Sequence, residues 1–425
     1  MKRSALGLAL LLSCAASAGF ADEGAVPSGV PYLDHVYVIV MENHGYSQIF
    51  NNPNAPFTNS YAQSVNSATN YFAVAHPSLT NYLEIVGASN FGVHSDNYPA
   101  WHSKTCTTNL ASGTPSTDVP SSPNICPITG SGLDAATPAV DTTNETQGPP
   151  GVNNLDGVLS YAAAKTVGKT IADQLVAHGR SWKSYQEDLP IAGADGVNTS
   201  DGVYTDATDF TKILPALTPP LTSGDLVALY AVKHNPFAYF KAVQDGTNPA
   251  LSLKNIVGFT GAGGLYADLG AGASPNYSLI APNQCNDQHG RGNAGAFCNY
   301  DPSDTGVQSG LNPALIKRGD AALQTIVTAI HQSPSWKQGH NAIVIVWDEN
   351  DYSNAPNTNK VLFTVETTFS KQPVQSARFY THFSLLKTIE AGFGLPCLNH
   401  ACDSTVAVMS DLFARDPNRD HHGLR

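Results

Sequence analysis

Charge is scarce in this chain. Of its 425 residues only 13% are Asp, Glu, Lys or Arg, about half the share of an ordinary soluble domain. Just 22 are basic against 34 acidic, a net charge of −12. A protein that tracks nucleic acid needs a positive face to displace counterions. No cluster of Lys or Arg offers one, which excludes a long nucleic-acid groove. An anionic substrate stays admissible if a bound metal supplies local positive charge. Long apolar runs are missing beyond the first residues, so no later segment reads as a membrane span. Internal repeats and Cys-x-x-Cys spacing are missing as well. What is present is a 42% hydrophobic content with 36 Gly and 28 Pro. That is enough apolar mass for a sizeable core, wrapped in turns and long loops. Coiled coils, collagen and helical repeats are excluded.

The chain opens Met1-Lys2-Arg3, continues with an apolar run from Ala5 to Leu12, and reaches the small residues Ala15-Ala16-Ser17-Ala18. A basic start, a short apolar stretch and an Ala-x-Ala end read as a secretory signal peptide over residues 1–18, ahead of a buried helix as the alternative. Leu11-Leu12-Ser13-Cys14 loosely resembles a lipoprotein processing site, but Leu12 fits poorly there, so acylation of Cys14 ranks second. The expected location is secreted or periplasmic. Six further cysteines fall into close pairs, Cys106 with Cys126, Cys285 with Cys298, and Cys397 with Cys402. Nearest-neighbour disulfides are expected over a zinc site, because export favours oxidation and the spacing does not suit zinc.

Val36 to Met41 and Ala342 to Trp347 are continuous apolar, β-branched runs, the pattern of strands covered on both faces. Shorter strand candidates are Asn255 to Phe259, Tyr277 to Ala281 and Val361 to Val365. Helical periodicity marks Leu79 to Val86, Thr170 to His178, Pro313 to Gln332 and Phe383 to Ala391. This alternation predicts an α/β fold, with a mostly parallel central sheet flanked by helices and long loop insertions. A single domain over residues 30–415 is expected, with an insertion at about 105–154 and a C-terminal tail at 416–425.

Ligands of open α/β sheets bind outside the carboxyl ends of the strands. Both strong strands deliver acids there: Glu42 with Asn43, and Asp348 with Glu349. Gathered at one edge, these groups repel unless a cation sits between them, and oxygen-rich sets suit a divalent metal. Ser78, in Ala75-His76-Pro77-Ser78-Leu79-Thr80-Asn81-Tyr82, stands where a helix begins. It reads either as an N-cap or as a nucleophile placed where a helix N-terminus favours phosphate. Asp287 and His289 share a loop and can turn towards one ion. His382 lies at the first turn of the last helix, where a capping or solvated histidine is the default. Lys233-His234 could supply a cation or simply a turn.

Taken in order, Met41-Glu42-Asn43-His44, His76-Pro77-Ser78-Leu79-Thr80-Asn81-Tyr82, Asn286-Asp287-Gln288-His289, Trp347-Asp348-Glu349-Asn350 and Thr381-His382-Phe383-Ser384-Leu385 resemble the bacterial and fungal phosphoesterase family of secreted acid phosphatases and phospholipase-C-type enzymes. Gly179 to Tyr185, which contains Lys183, and Lys233 to Phe237 are similar to its other landmarks. The resemblance implies an alkaline-phosphatase-like fold and one or two divalent metal ions (calcium, magnesium, manganese or zinc). It implies that Glu42 and Asp348, with Asn43 or Glu349, hold one ion that touches the Ser78 hydroxyl. Asp287, His289 and His382 would hold a second ion or contact the substrate. Ser78 would be the nucleophile, with His76, His289 or His382 protonating the leaving oxygen and Asn81, Lys183, Lys233 and His234 facing the substrate. The expected activity is phosphomonoester hydrolysis through a phosphoserine, the alternatives being a phospholipase-C-type diesterase and a secreted cation-binding protein without turnover.

Overall fold

The computed structural model describes residues 23–93, 95–99, 125–134, 161, 164–189, 229–290, 298, 313–350, 359–370 and 372–414. The expected signal peptide, Cys14, Cys106, most of the expected insertion and the 416–425 tail lie outside the described residues.

The strands are β1 (His35–Met41), β2 (Asn66–Ala68), β3 (Tyr71–Phe72), β4 (Ser131–Leu133), β5 (Lys165–Val167), β6 (Trp182–Gln186), β7 (Ile256–Val257), β8 (Tyr277–Ala281), β9 (Asn341–Trp347), β10 (Phe363–Thr367), β11 (Gln375–Ser376) and β12 (Tyr380–Thr381). Eight of them form one sheet in the order β11-β2-β10-β9-β1-β8-β6-β7. The run β9-β1-β8-β6-β7 is parallel throughout, whereas β10 runs antiparallel to both its neighbours. The mostly parallel α/β sheet expected from the sequence is therefore present. Every residue of β9, and every residue of β1 after His35, is buried. That is why their sequences are unbroken apolar runs rather than alternating ones. Each such Val or Ile withdrawn from water contributes about 1.5–3 kcal/mol.

The helices include α1 (Tyr46–Ile49), α2 (Pro56–Ser64), α3 (Ser78–Gly87), α4 (Ile171–Ala177), α5 (Lys241–Asp245), α6 (Leu265–Ala271), α7 (Pro313–Gln332) and α8 (His382–Phe393). α3, α7 and α8 match the periodicity to within two residues at each end. α2, α6 and β6 were not marked by pattern: α2 reads Pro-Phe-Thr-Asn-Ser-Tyr-Ala-Gln-Ser, with few apolar residues to set a period. The expected strand from Asn255 to Phe259 shrinks to Ile256–Val257: Leu253–Asn255 winds into a 3-10 turn at its start, and beyond its end the Gly258 and Phe259 carbonyls accept from the Leu265 and Tyr266 N–H groups at 3.1 Å.

A main hydrophobic cluster runs from Leu33 to Phe413. Cys285–Cys298 and Cys397–Cys402 are bonded as expected, and Cys126 is also disulfide-bonded. No helix among the described residues is long and apolar enough to cross a membrane.

Candidate active site

Register sets the site. β1 and β9 pair in step from His35 with Asn341 to Met41 with Trp347, so the next residues, Glu42 and Asp348, emerge level with each other. The Asp348 main-chain N–H donates to the Met41 carbonyl at 2.9 Å, extending the ladder by one step. On the other flank of β1, the Glu42 N–H donates to the Asp287 carbonyl at 2.8 Å, which brings the loop after β8 to the same edge. Glu42, Asp287, Asp348 and Glu349 are all buried there.

Ser78 is the first residue of α3. Pro77 occupies the cap position, so the N-cap reading of this serine does not hold. Its hydroxyl instead donates towards Glu42 Oε2 at 3.0 Å and Glu349 Oε1 at 3.3 Å, and it accepts from Lys233 Nζ at 3.3 Å. Glu349 Oε2 also accepts from Asn81 Nδ2 at 2.9 Å and lies 2.9 Å from His76 Nδ1. His234 bridges the other side, with Nε2 2.9 Å from Glu42 Oε1 and Nδ1 3.5 Å from Asp287 Oδ2. His289 donates its main-chain N–H to Asp287 Oδ1 at 2.8 Å, and its Nδ1 donates to the Gly290 carbonyl at 2.8 Å. With Nδ1 donating, Nε2 carries the lone pair in the neutral ring and a proton in the charged one. Asn43 is buried directly after Glu42, and its carbonyl accepts from His44 Nδ1 at 3.0 Å.

The electrostatics are severe. Two unit charges 4 Å apart repel by about 4 kcal/mol at an effective dielectric of 20, and several such pairs would consume much of a typical folding stability. Burial pushes the Glu42 carboxyl up, but His234, Lys233 and His289 together outweigh it and hold Glu42 below the usual carboxylate range. Burial, followed by the Glu42 charge, drives both Asp287 and Asp348 well above that range. Burial also lowers His234, against the pull of Glu42.

This donor set fits a divalent cation in kind. Both carboxylate oxygens of Asp348 are buried and meet no hydrogen-bond donor among the described residues. An oxygen pair in that state is stabilised by a proton or a cation. Glu42, Asp348, Glu349 and the Ser78 hydroxyl would hold the ion, with Asp287 and His289 beside them. Among the described residues, no group of three such side chains is already closed around a metal-sized point.

Three expected roles need correction. His382 has both ring nitrogens committed: Nε2 donates to the Asp348 carbonyl at 2.7 Å, and Nδ1 accepts from the Tyr71 hydroxyl at 3.0 Å. Burial lowers its pKa to about 4, so it is a neutral strut under Asp348 with no lone pair for a metal and no proton for a leaving group. Asn81 likewise has no capacity left for substrate. Its oxygen accepts from the main-chain N–H groups of Val74 and Ala75, and its nitrogen donates to the Ala75 carbonyl and Glu349, which is all an amide can do. Lys183 lies away from the edge: through β8 it is in register with Tyr37, five residues before Glu42, or roughly 16 Å along a strand. Its ammonium pairs with Asp268 at 2.5 Å and the Gly263 carbonyl at 2.9 Å.

Two participants went unread in the sequence. Tyr82 stacks on His234, with centroids 5.1 Å apart and planes at 12°. Burial and the adjacent Glu42 push its hydroxyl well above the usual range. Its position four residues after Ser78, on the same helical face, is the signal that could have marked it. Asp96 contacts Lys233 Nζ at 2.9 Å and the Leu79 N–H at 3.0 Å; nothing in its local sequence announces this.

A family model described as the phosphoesterase family matches residues 47–299, more than half of the chain. The chain is 22% identical to an acid phosphatase of Aspergillus fumigatus over 78% of its own length and 48% of that protein's. It is also 22% identical to a phosphatidylinositol-3-phosphatase of Mycobacterium tuberculosis, over 90% of this chain and 86% of that one. The chain thus spans about half the length of the fungal relative. Among solved structures it is similar to a protein in the alkaline phosphatase superfamily from Vibrio parahaemolyticus, with 11% identity, a TM-score of 0.43 and coverage of 88% of this chain and 69% of that one. On the extent of the family match, with Ser78, Lys233, His234, Asp287 and His289 all inside it, the chain belongs to the phosphoesterase family.

Proposed function

We propose that this protein is a secreted, metal-dependent phosphomonoesterase that works through a phosphoserine at Ser78. The observation that carries the reading is the environment of the Ser78 oxygen, which is buried between two carboxylates and an ammonium. In the forward step the Oγ–P bond forms as the ester P–O bond breaks. The serine proton passes to Glu42 or Glu349, and the departing oxygen takes a proton from an acid such as His289 or His76. Water then attacks phosphorus, releasing inorganic phosphate and restoring the serine hydroxyl. Lys233 neutralises charge on the oxygens around phosphorus. A divalent cation held by Glu42, Asp348 and Glu349 would ease ionisation of the hydroxyl and neutralise phosphoryl charge.

The relatives' names support monoesters over a phospholipase-C-type diesterase, since the acid phosphatases and the phosphatidylinositol-3-phosphatase are all phosphatases. Disulfides at Cys126, Cys285–Cys298 and Cys397–Cys402 support an oxidising compartment. The test is turnover of p-nitrophenyl phosphate and bis-p-nitrophenyl phosphate by the wild-type protein and Ser78→Ala, with and without a chelator. Monoester turnover lost on both chelation and substitution is the expected result. Dominant diester turnover would favour the phospholipase-type reading, and no turnover of either ester would leave a cation-binding protein.

A further inference from the structure

We propose that Asp96 is a positioning residue that fixes the Lys233 ammonium against the nucleophilic oxygen of Ser78; the inference rests on the phosphomonoesterase reading above. Lysine is a point charge on a stem with four rotatable carbons, and such a side chain carries about 2 kcal/mol of rotamer freedom. An ammonium that is to meet developing charge at a defined atom needs an anchor. Asp96 provides one from the loop that follows α3. Its Oδ2 is 2.9 Å from Lys233 Nζ, and the same Nζ is 3.3 Å from Ser78 Oγ.

The anchor is itself anchored. Asp96 Oδ1 accepts from the Leu79 N–H at 3.0 Å, one residue after the nucleophile. Nucleophile, ammonium and carboxylate are thereby tied to the first turn of α3, and the Asp96 and Lys233 side chains are only 4% and 6% exposed. The arrangement also decides what faces the phosphoryl group. Two first-turn amides of α3 are already spent, that of Leu79 on Asp96 and that of Thr80 on the Pro77 carbonyl at 3.0 Å. With those two amides spent, Lys233 is the charged donor beside Ser78 Oγ.

A purely structural role, capping α3, is separable because asparagine keeps the oxygen that accepts from Leu79 while losing the charge that holds Lys233. The experiment measures kcat, KM and thermal midpoint for the full chain with p-nitrophenyl phosphate, in wild type, Asp96→Asn, Lys233→Ala and the double variant. A group displaced by about 1 Å costs up to about 100-fold in rate. Asp96→Asn is expected to lower kcat by about 10- to 100-fold with KM within about threefold and the midpoint close to wild type. The double variant should be no slower than Lys233→Ala alone, because Asp96 acts through the lysine. Wild-type-like kcat in Asp96→Asn, or losses that multiply in the double variant, would overturn the inference while leaving the phosphomonoesterase reading standing. A wild-type protein inert towards the ester would overturn both. If Asp96→Asn does not fold, Asp96→Glu replaces it: it keeps the charge but moves the ammonium by one methylene, so a kcat loss is expected and an unchanged kcat overturns the proposal.

Discussion

Glu42 and Ser78 stand 36 positions apart in the chain and meet at 3.0 Å, carboxylate to hydroxyl. Glu42 follows the end of β1, and Ser78 starts α3, a helix packed against α8. Their meeting gives the buried hydroxyl a proton acceptor.

Ser78→Ala should lower kcat for p-nitrophenyl phosphate by at least on the order of a thousandfold, since deleting the nucleophile of a triad-type site costs on the order of a millionfold. Trapping with acid after mixing with labelled substrate should leave phosphate on the wild-type chain and none on the variant. A labelled Ser78→Ala chain would rule out this residue as the acceptor.

The crowding of Asp348, Glu42 and Glu349 predicts opposite effects with and without metal. Asp348→Asn removes a carboxyl whose ionisation is penalised by burial and by Glu42 and Glu349, so it should raise the thermal midpoint of chelated protein near neutral pH. It should also abolish the midpoint rise that added divalent ion gives the wild type, which reflects a stabilisation of about 2.7 kcal/mol at a hundred times the dissociation constant. Differential scanning fluorimetry with and without added magnesium, calcium, manganese or zinc measures both. An ion-induced rise equal in both proteins would remove Asp348 from the ligand set.

Stability should fall as pH rises through neutrality because of His400. Its Nε2 is 2.6 Å from Asp134 Oδ2 and its Nδ1 is 2.7 Å from Asp403 Oδ2, so both nitrogens donate and the ring is charged. Burial pulls its pKa down, but the two carboxylates outweigh this and raise it above the ordinary histidine value. A raised folded-state pKa stabilises fully below the unfolded value of about 6.5 and loses that contribution as pH climbs through the folded value. The clamp reaches the end of α3, since Asp134 Oδ1 also accepts from Ser89 and Asn90. His400→Gln should flatten the dependence of the midpoint between pH 6 and 8; an unchanged slope would count against the clamp.

Gly319 sits inside α7, where alanine would ordinarily gain roughly 0.5–1 kcal/mol. Here a Cβ would lie 2.3 Å from Gln288 Cγ and 3.0 Å from the Asn286 carbonyl oxygen. Gln288 takes the Trp347 indole N–H at 3.0 Å and donates to the Ile316 carbonyl at 3.1 Å, so the loop carrying Asp287 and His289 is wedged between helix and sheet. Gly319→Ala should cost about 1–3 kcal/mol net and lower kcat as well, by moving that loop. A stabilised variant with normal turnover would show that the loop yields freely.

Lys183→Met should leave kcat and KM within about twofold of wild type while lowering stability by about 1 kcal/mol through loss of the partly buried pair with Asp268. Steady-state kinetics beside a urea titration separates the two effects. A large rise in KM would return Lys183 to the substrate.

Much of the site was legible because it follows from strand ends. Two apolar runs that stop at Glu42-Asn43 and Asp348-Glu349 name a sheet edge, and hydrophobic burial on both faces leaves such strands little choice of structure. The apolar period of α3, α7 and α8 was equally plain, and Ser78 could be placed at a helix start from Pro77 and the pattern behind it. The meaning of Ser78 could not be read that way, since capping and nucleophilic serines look alike locally; Pro77 at the cap position removes the first reading, and the convergence of Glu42, Glu349 and Lys233 supports the second as a proposal.

His382, Asn81 and Lys183 mark where motif reasoning stops. The family resemblance casts His382 as a ligand, yet the Tyr71 hydroxyl and the Asp348 carbonyl take both its nitrogens. The amide of Asn81 is consumed by the turn before its own helix. Lys183 points at Asp268 because β6 enters the sheet at a register that puts it level with the middle of β1. Composition, strand runs and helix period follow from local chemistry and were fixed by the order of residues alone. Register, the reversed direction of β10 and the partners of each polar side chain depend on contacts between segments tens to hundreds of residues apart, so the tertiary structure alone decided them.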